Sequence, residues 1–279
     1  MALQDYFQQT ENTASTHTWV LVSHDPNKAP IDALAADLAD RIVSFQCRGA
    51  PQHYDTWKDQ AHDGKLASDS AKQALGAFLS PVFGPPGSLD AIPSNHLQGY
   101  IGQMLWYFLC EERQEEEFIR RIEPPGFTAI DHGGDGLVIH GAPNVPMLFR
   151  LWEIKKFVPT PGASRSSVIS TINTAYDQLD TKALEYLARY TATGQVVDDP
   201  EMQEFYGKLV ELWIAGSDQA AAGVSVATSQ AHVQNRSFDA FGQRFPRFTK
   251  PVRLRGMLTA IDDFAAFCSK VQEEVWKGL

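Results

Sequence analysis

GFTAIDHGGDGLVIHG (residues 126–141) and LFRLWEIKKFV (148–158), joined by APNVPM (142–147), carry the strongest strand signal in the chain. Both arms are rich in β-branched and aromatic residues. The connection holds two prolines and an asparagine, which stop a strand and turn the chain. The pattern predicts a hairpin. Residues two apart in a strand share a face, so Glu153 and Lys155 are expected side by side, with Trp152 and Ile154 turned into a core. Asp135 follows Gly133-Gly134, a pair that permits a sharp backbone turn, near the start of the first arm. Pairing of the arms would bring Asp135 and Glu153 to one point. Two carboxylates converge only with positive charge between them, and Mg²⁺, a hard cation that accepts one or two carboxylates, is suited to that place.

The chemistry such a cluster suits is phosphodiester hydrolysis. The metal would polarise a phosphoryl oxygen and acidify a water, and Lys155 would orient or deprotonate that water. The competing reading is a buried Asp/Glu–Lys network that only holds strands together. Charges in an apolar strand need a partner or a task, and either reading supplies one.

Outward from the hairpin, TWVLVS (18–23) reads as a buried strand. Residues 32–45 form a helix with Leu34, Leu38, Ile42 and Val43 on one face, and 68–79 form a second. PVFGPPGS (81–88) closes that helix. It marks either a boundary between an N-terminal extension (1–90) and a main domain (91–279), or one loop inside a single domain. A helix is expected from Asn95 to the acidic run 111–117, which reads as its solvated end. Further helices are expected over 166–194 and 199–216, with a buried strand over 220–229. Residues 235–256 read as a loop. TAIDDFAAFCSKVQEEVWKGL (259–279) reads as an amphipathic helix with Ile261, Phe264, Phe267, Val271 and Val275 on its apolar face. The order implies an α/β fold, a mixed sheet flanked by helices.

The chain has 279 residues, 43% hydrophobic and 21% charged, which excludes disordered and fibrous classes. No apolar run approaches bilayer length, so no membrane partner is expected. The first residues lack the basic start and apolar core of a secretory signal. Cys47, Cys110 and Cys268 are isolated and odd in number, which fits buried thiols in a reducing cytoplasm. There is no GxxxxGK[ST] loop and no GxSxG elbow. His132 and His140 flank the first arm, but neither helical spacing nor nearby Cys supports a zinc site. The net charge of −10 implies that DNA, if bound, is held by a local basic patch and metal, or is delivered by a partner. The basic, aromatic stretch 235–256, with Arg244 and Arg247, admits three readings. It is a nucleic-acid surface, a protein interface, or a loop whose Phe residues plug the core while its Arg residues face water.

GGDGLVIHG followed by LWEIKKF resembles the PD-(D/E)XK phosphodiesterase superfamily, over about half the chain. The resemblance implies a restriction-endonuclease-like core of helix, hairpin-bearing mixed sheet, helix and strand. It implies Asp135, Glu153 and Lys155 as catalytic residues and Mg²⁺ or Mn²⁺ as cofactor. The metal would be held by Asp135 and Glu153, with Ile154 and a residue of the first helix, Gln103 or Glu112, completing the set. Tyr176 or Gln178 on the next helix would contact the DNA backbone. The arrangement also resembles the nuclease subunits of bacterial anti-phage systems such as the Hachiman nuclease, which works with a helicase. The expected function is a metal-dependent DNA endonuclease in defence or DNA processing, with RNA as a variant substrate. The alternative is a catalytically inactive interaction subunit with a nuclease-like fold, a reading kept open by Gln103 standing where an acidic ligand is common.

Overall fold

The computed structural model describes residues 1–88, 91–115, 117–126, 136–142, 145–159, 167–194 and 197–279. Its strands are β1 (Phe7–Thr13), β2 (Thr18–His24), β3 (Ile119–Ile122), β4 (Gly136–His140), β5 (Leu148–Phe157), β6 (Ala220–Ser229) and β7 (Leu254–Ile261). They form one seven-stranded sheet in the order β1-β2-β7-β6-β5-β4-β3. The four middle strands are parallel. β1 lies antiparallel on β2 at one edge, and β4 and β3 continue antiparallel from β5 at the other. Parallel strands covered on both faces carry continuous small and apolar residues, and β6, AAAGVSVATS, is buried along nearly its whole length.

Helices cover both faces, giving a mixed α/β architecture. One apolar core lies beneath α1 (Ile31–Gln46), α2 (Pro51–Ala61), α3 (Asp69–Phe83), α4 (Ser94–Glu112) and α9 (Phe264–Trp276). The other lies beneath α5 (Val168–Thr193), α6 (Pro200–Gly207), α7 (Leu209–Ile214) and α8 (Phe241–Arg244). The connection from β5 to β6 runs through α5, a crossover between parallel strands.

Residues 1–90 and 91–279 contribute to the same sheet, because β2 of the first segment pairs with β7 of the second. Trp57 donates to the Val275 carbonyl at 2.8 Å, and Gln272 to that of Phe83 at 2.8 Å, so residues before and within the proline-glycine stretch are tied to α9, far beyond it in the chain. The expected single helix over 199–216 is broken into α6 and α7 at Lys208. Thr259, Ala260 and Ile261, read as the start of a helix, belong instead to β7, and the helix starts at Phe264. Asp263 sets that start by accepting from Ala266 N at 3.0 Å, a standard N-cap contact. No helix among the described residues is long and apolar enough to cross a membrane.

Candidate active site

Trp152 sits in the middle of β5 with a glycine beside it on each neighbouring strand, Gly136 on β4 and Gly223 on β6. A Cβ on Gly223 would stand 2.3 Å from the Trp152 ring, and one on Gly136 would stand 2.2 Å from Trp106 of α4. The missing side chains leave room for two indoles, 5.7 Å apart between centroids, at the junction of sheet and helix. This packing fixes which way β5 faces. Trp152 and Ile154 enter the α4-side core, and Lys156 donates to Gln98 of α4 at 2.8 Å. Phe149, Leu151 and Phe157 enter the opposite core, so Glu153 and Lys155 project from the face that α5 covers.

On that face the expected pair is present. The Glu153 side chain is 2% exposed, and Lys155 Nζ stands 2.5 Å from its Oε1, with the lysine 27% exposed. A carboxylate so removed from water is costly unless a cation stands against it, and the ammonium does. The lysine reaches solvent while the glutamate does not, so the pair has an inner and an outer member. Asp135 and His132 lie outside the described residues. Gly136, which follows Asp135, is paired with Trp152, the residue before Glu153.

Gln103 is half-buried on α4. Its neighbour Gly102 approaches β5 at the level of Lys155, where an added Cβ would lie 4.0 Å from the Lys155 carbonyl oxygen. That is the face opposite Glu153. Glu112, the other helix candidate, is used elsewhere: it accepts from Leu3 N at 2.5 Å and Gln4 N at 2.7 Å and pairs with Arg41 at 2.8 Å. It closes the N-terminal turn. Among the described residues no group of three or more His, Cys, Asp and Glu side chains is placed to hold a metal ion.

Tyr176 is buried, its ring against Phe241 at 4.7 Å and Phe245 at 6.1 Å. Burial pushes its hydroxyl pKa up, and that hydroxyl has no hydrogen-bond partner among the described residues. In this conformation Tyr176 is a core residue, not one open to DNA. Gln178 is half-buried, with an Oε1 that also lacks a partner among the described residues.

The basic, aromatic stretch resolves into two roles. Phe238, Phe241, Phe245 and Phe248 are core plugs. The cations are engaged: Arg236 with Asp239 at 2.8 Å, Arg244 with Asp177 at 2.9 Å, Arg247 with Asp180 at 3.9 Å and Lys250 with Asp218 at 2.6 Å. Arg247 also lies over Trp213 at 4.7 Å. Arg253 is buried and holds the carbonyls of Gly216, Ser217 and Ala220. Of the three readings, the plugged core describes the phenylalanines, and the arginines turn to acids or carbonyls.

His140 is committed as well. Arg150 Nη1 can only donate, so His140 Nε2, 3.3 Å away, accepts. The ring proton therefore sits on Nδ1 and is donated to the Glu117 carbonyl at 3.1 Å. Burial, reinforced by Arg150, holds the imidazole pKa down at about 4, a neutral ring at ordinary pH. Arg150 was not singled out from the sequence, although it obeys the argument applied to Glu153, a charge inside an apolar strand. No protein-family model matches the chain, and no curated protein matches it.

Proposed function

We propose that the chain is a metal-dependent phosphodiesterase acting on DNA, with Glu153 and Lys155 of β5 at its reacting centre. The observation that carries this reading is a carboxylate 2% exposed on β5, an inner strand of the sheet, facing a partly exposed ammonium 2.5 Å away. The element order α4, β3, β4, β5, α5, β6 supports placing that pair in a PD-(D/E)XK core. The donor set fits a hard divalent cation: Glu153 and Asp135 would hold Mg²⁺ or Mn²⁺ through oxygen. When bound, the cation supplies Lewis-acid polarisation of the phosphate.

Lys155 does the rest of the work at the reacting phosphate. Its outward ammonium orients the attacking water and offsets charge as it builds on the phosphate oxygens. Water adds to phosphorus and one P–O ester bond breaks, leaving a phosphate monoester and an alcohol. Glu153 sets the position of Lys155. The paired state of the cations in 236–255 favours a partner protein, such as a helicase or another defence subunit, that brings the DNA.

The test is cleavage of linear, circular and single-stranded DNA with Mg²⁺ or Mn²⁺, comparing the wild type with Glu153→Gln and Lys155→Ala after circular dichroism shows that both fold. Each variant is expected to lose at least about 10²-fold in rate. If the wild type alone is silent, calorimetric titration of Mn²⁺ decides. Binding that is lost in Glu153→Gln supports the site, while equal and negligible binding in both overturns it in favour of a non-catalytic subunit.

A further inference from the structure

On the other face of β5, three residues before Glu153, Arg150 is 7% exposed. It opens on a cavity of about 430 Å³ lined by Glu11, Thr18, Arg113, Glu117, His140, Val252 and Arg255 as well. The cavity lies at the N-terminal ends of β5 and β7, beside the C-terminal end of α4.

Two arginines and two carboxylates there form a closed ring. Arg113 Nη2 is 3.2 Å from Glu11 and 3.1 Å from Glu117, and Arg255 Nη2 is 2.9 Å and 3.4 Å from the same two oxygens. The ring is neutral. Arg150 is the charge left over. Its Nη2 donates to the Val252 carbonyl at 2.8 Å, its Nη1 to the neutral His140, and its Nε is buried with no partner among the described residues. Its guanidinium also lies 5.9 Å from the Trp152 ring. Among the described residues, three guanidiniums thus face two carboxylates in a protein whose net charge is −10, and the surplus charge sits at the innermost position.

A buried cation with no carboxylate of its own among the described residues is the environment an anion completes. Burial and the neighbouring Arg255 both act against its charge, pulling the guanidinium down to about 10. An arginine does not give up its proton near neutrality, so the imbalance calls for an anion. Glu11, from the edge strand β1, is 49% exposed and is the ring member an incoming anion can displace. Next to Glu117, Phe118 holds a strained backbone, φ 51°, with its ring 60% exposed, and Val252 on the cavity wall is 62% exposed. Guanidinium forks match tetrahedral oxyanions, and the two exposed apolar groups suit an organic remainder.

We infer that this cavity is a binding site for a phosphate dianion, carried free or as the phosphate of a small monoester, with Arg150 as its inner ligand and Arg113 and Arg255 as outer ones. It is separate from the Glu153–Lys155 pair, which projects from the opposite face, and it stands whether or not that pair is catalytic.

The test is isothermal titration of the full chain with inorganic phosphate and, separately, with adenosine monophosphate, at constant ionic strength set by chloride. Saturable binding at millimolar concentration or tighter is expected. Tighter binding of the monoester identifies an organic phosphate, and equal binding identifies the free ion. Arg150→Met keeps the stem and removes the charge, and Arg255→Gln provides a second variant if the first fails to fold. Either is expected to weaken binding by at least about tenfold, the scale of one charge-assisted contact. Lys65→Met, an exposed charge outside the cavity, is expected to leave it unchanged. No saturable binding of either ligand by the wild type, or undiminished binding in the folded cavity variants, overturns the proposal.

Discussion

Glu153 and Arg150 occupy the same strand three residues apart, and that odd spacing sends them to opposite faces with opposite needs. Glu153 has a cation from its own strand, Lys155, and needs only backbone geometry to meet it. Arg150 relies on a carbonyl and an imidazole, neither of which carries charge. The imidazole's neutrality has a measurable side. His140 is held at about 4 in the folded chain, below its ordinary 6.5. Between those values the unfolded chain binds more protons, so stability is full above about pH 6.5 and falls as pH drops toward 4. Urea midpoints at pH 7 and pH 5 are expected to show a loss at pH 5 that His140→Gln reduces. An unchanged difference in that variant would assign the acid sensitivity to other groups.

At the scale of elements, the row Gly136–Trp152–Gly223 shows how sequence sets register. Trp152 needs glycine beside it on β6, Trp106 of α4 needs glycine at the facing position of β4, and only one alignment of the three strands supplies both. Gly223→Ala would place a Cβ 2.3 Å from the ring and is expected to destabilise the protein by about 1–3 kcal/mol, the usual cost of overpacking, measured by urea denaturation. An alanine at an exposed glycine such as Gly207, where an added Cβ meets nothing within 4 Å, serves as the control.

This row also explains what the sequence disclosed. β2, β5 and β6 are apolar strands with clear ends, and α1, α4 and α5 have long helical periodicity, so all six were legible. β1, FQQTENT, is a polar edge strand with one buried residue, and nothing in it alternates. α2 buries only Trp57, too little for a periodic signal. β7 was hidden because its last residues, Thr259–Ile261, run into α9 with only two aspartates between them. The second of these is the cap that divides strand from helix. At the candidate site, Glu153 and Lys155 follow from a period of two. Arg150 escaped because its partners, Val252 and His140, belong to other strands and loops, and single-sequence spacing does not bring them together.

Across the whole molecule, charge is spent internally. The cations of 236–255 are held by Asp177, Asp180, Asp218 and Asp239, and Arg255 is held by Glu11 and Glu117. DNA affinity in the isolated chain is therefore expected to be weak and to depend little on salt. The slope of log K against log salt should be shallower than about −3, corresponding to fewer than about four neutralised phosphates. Fluorescence anisotropy with a labelled duplex measures it. A steep slope would locate a basic surface elsewhere and remove the need for a delivering partner.

The pairing of β2 with β7 has a further consequence, for the chain as it leaves the ribosome. β2 ends at His24 and its parallel partner begins at Leu254, 230 positions later. At about 5–20 residues per second, the first hairpin waits roughly 10–50 s for the strand that shelters its inner edge. Through that interval β2 is an apolar strand with one open side, the kind of edge that recruits other chains. The nascent protein is thus open to aggregation along that edge until β7, Leu254–Ile261, has been made and can pair with β2.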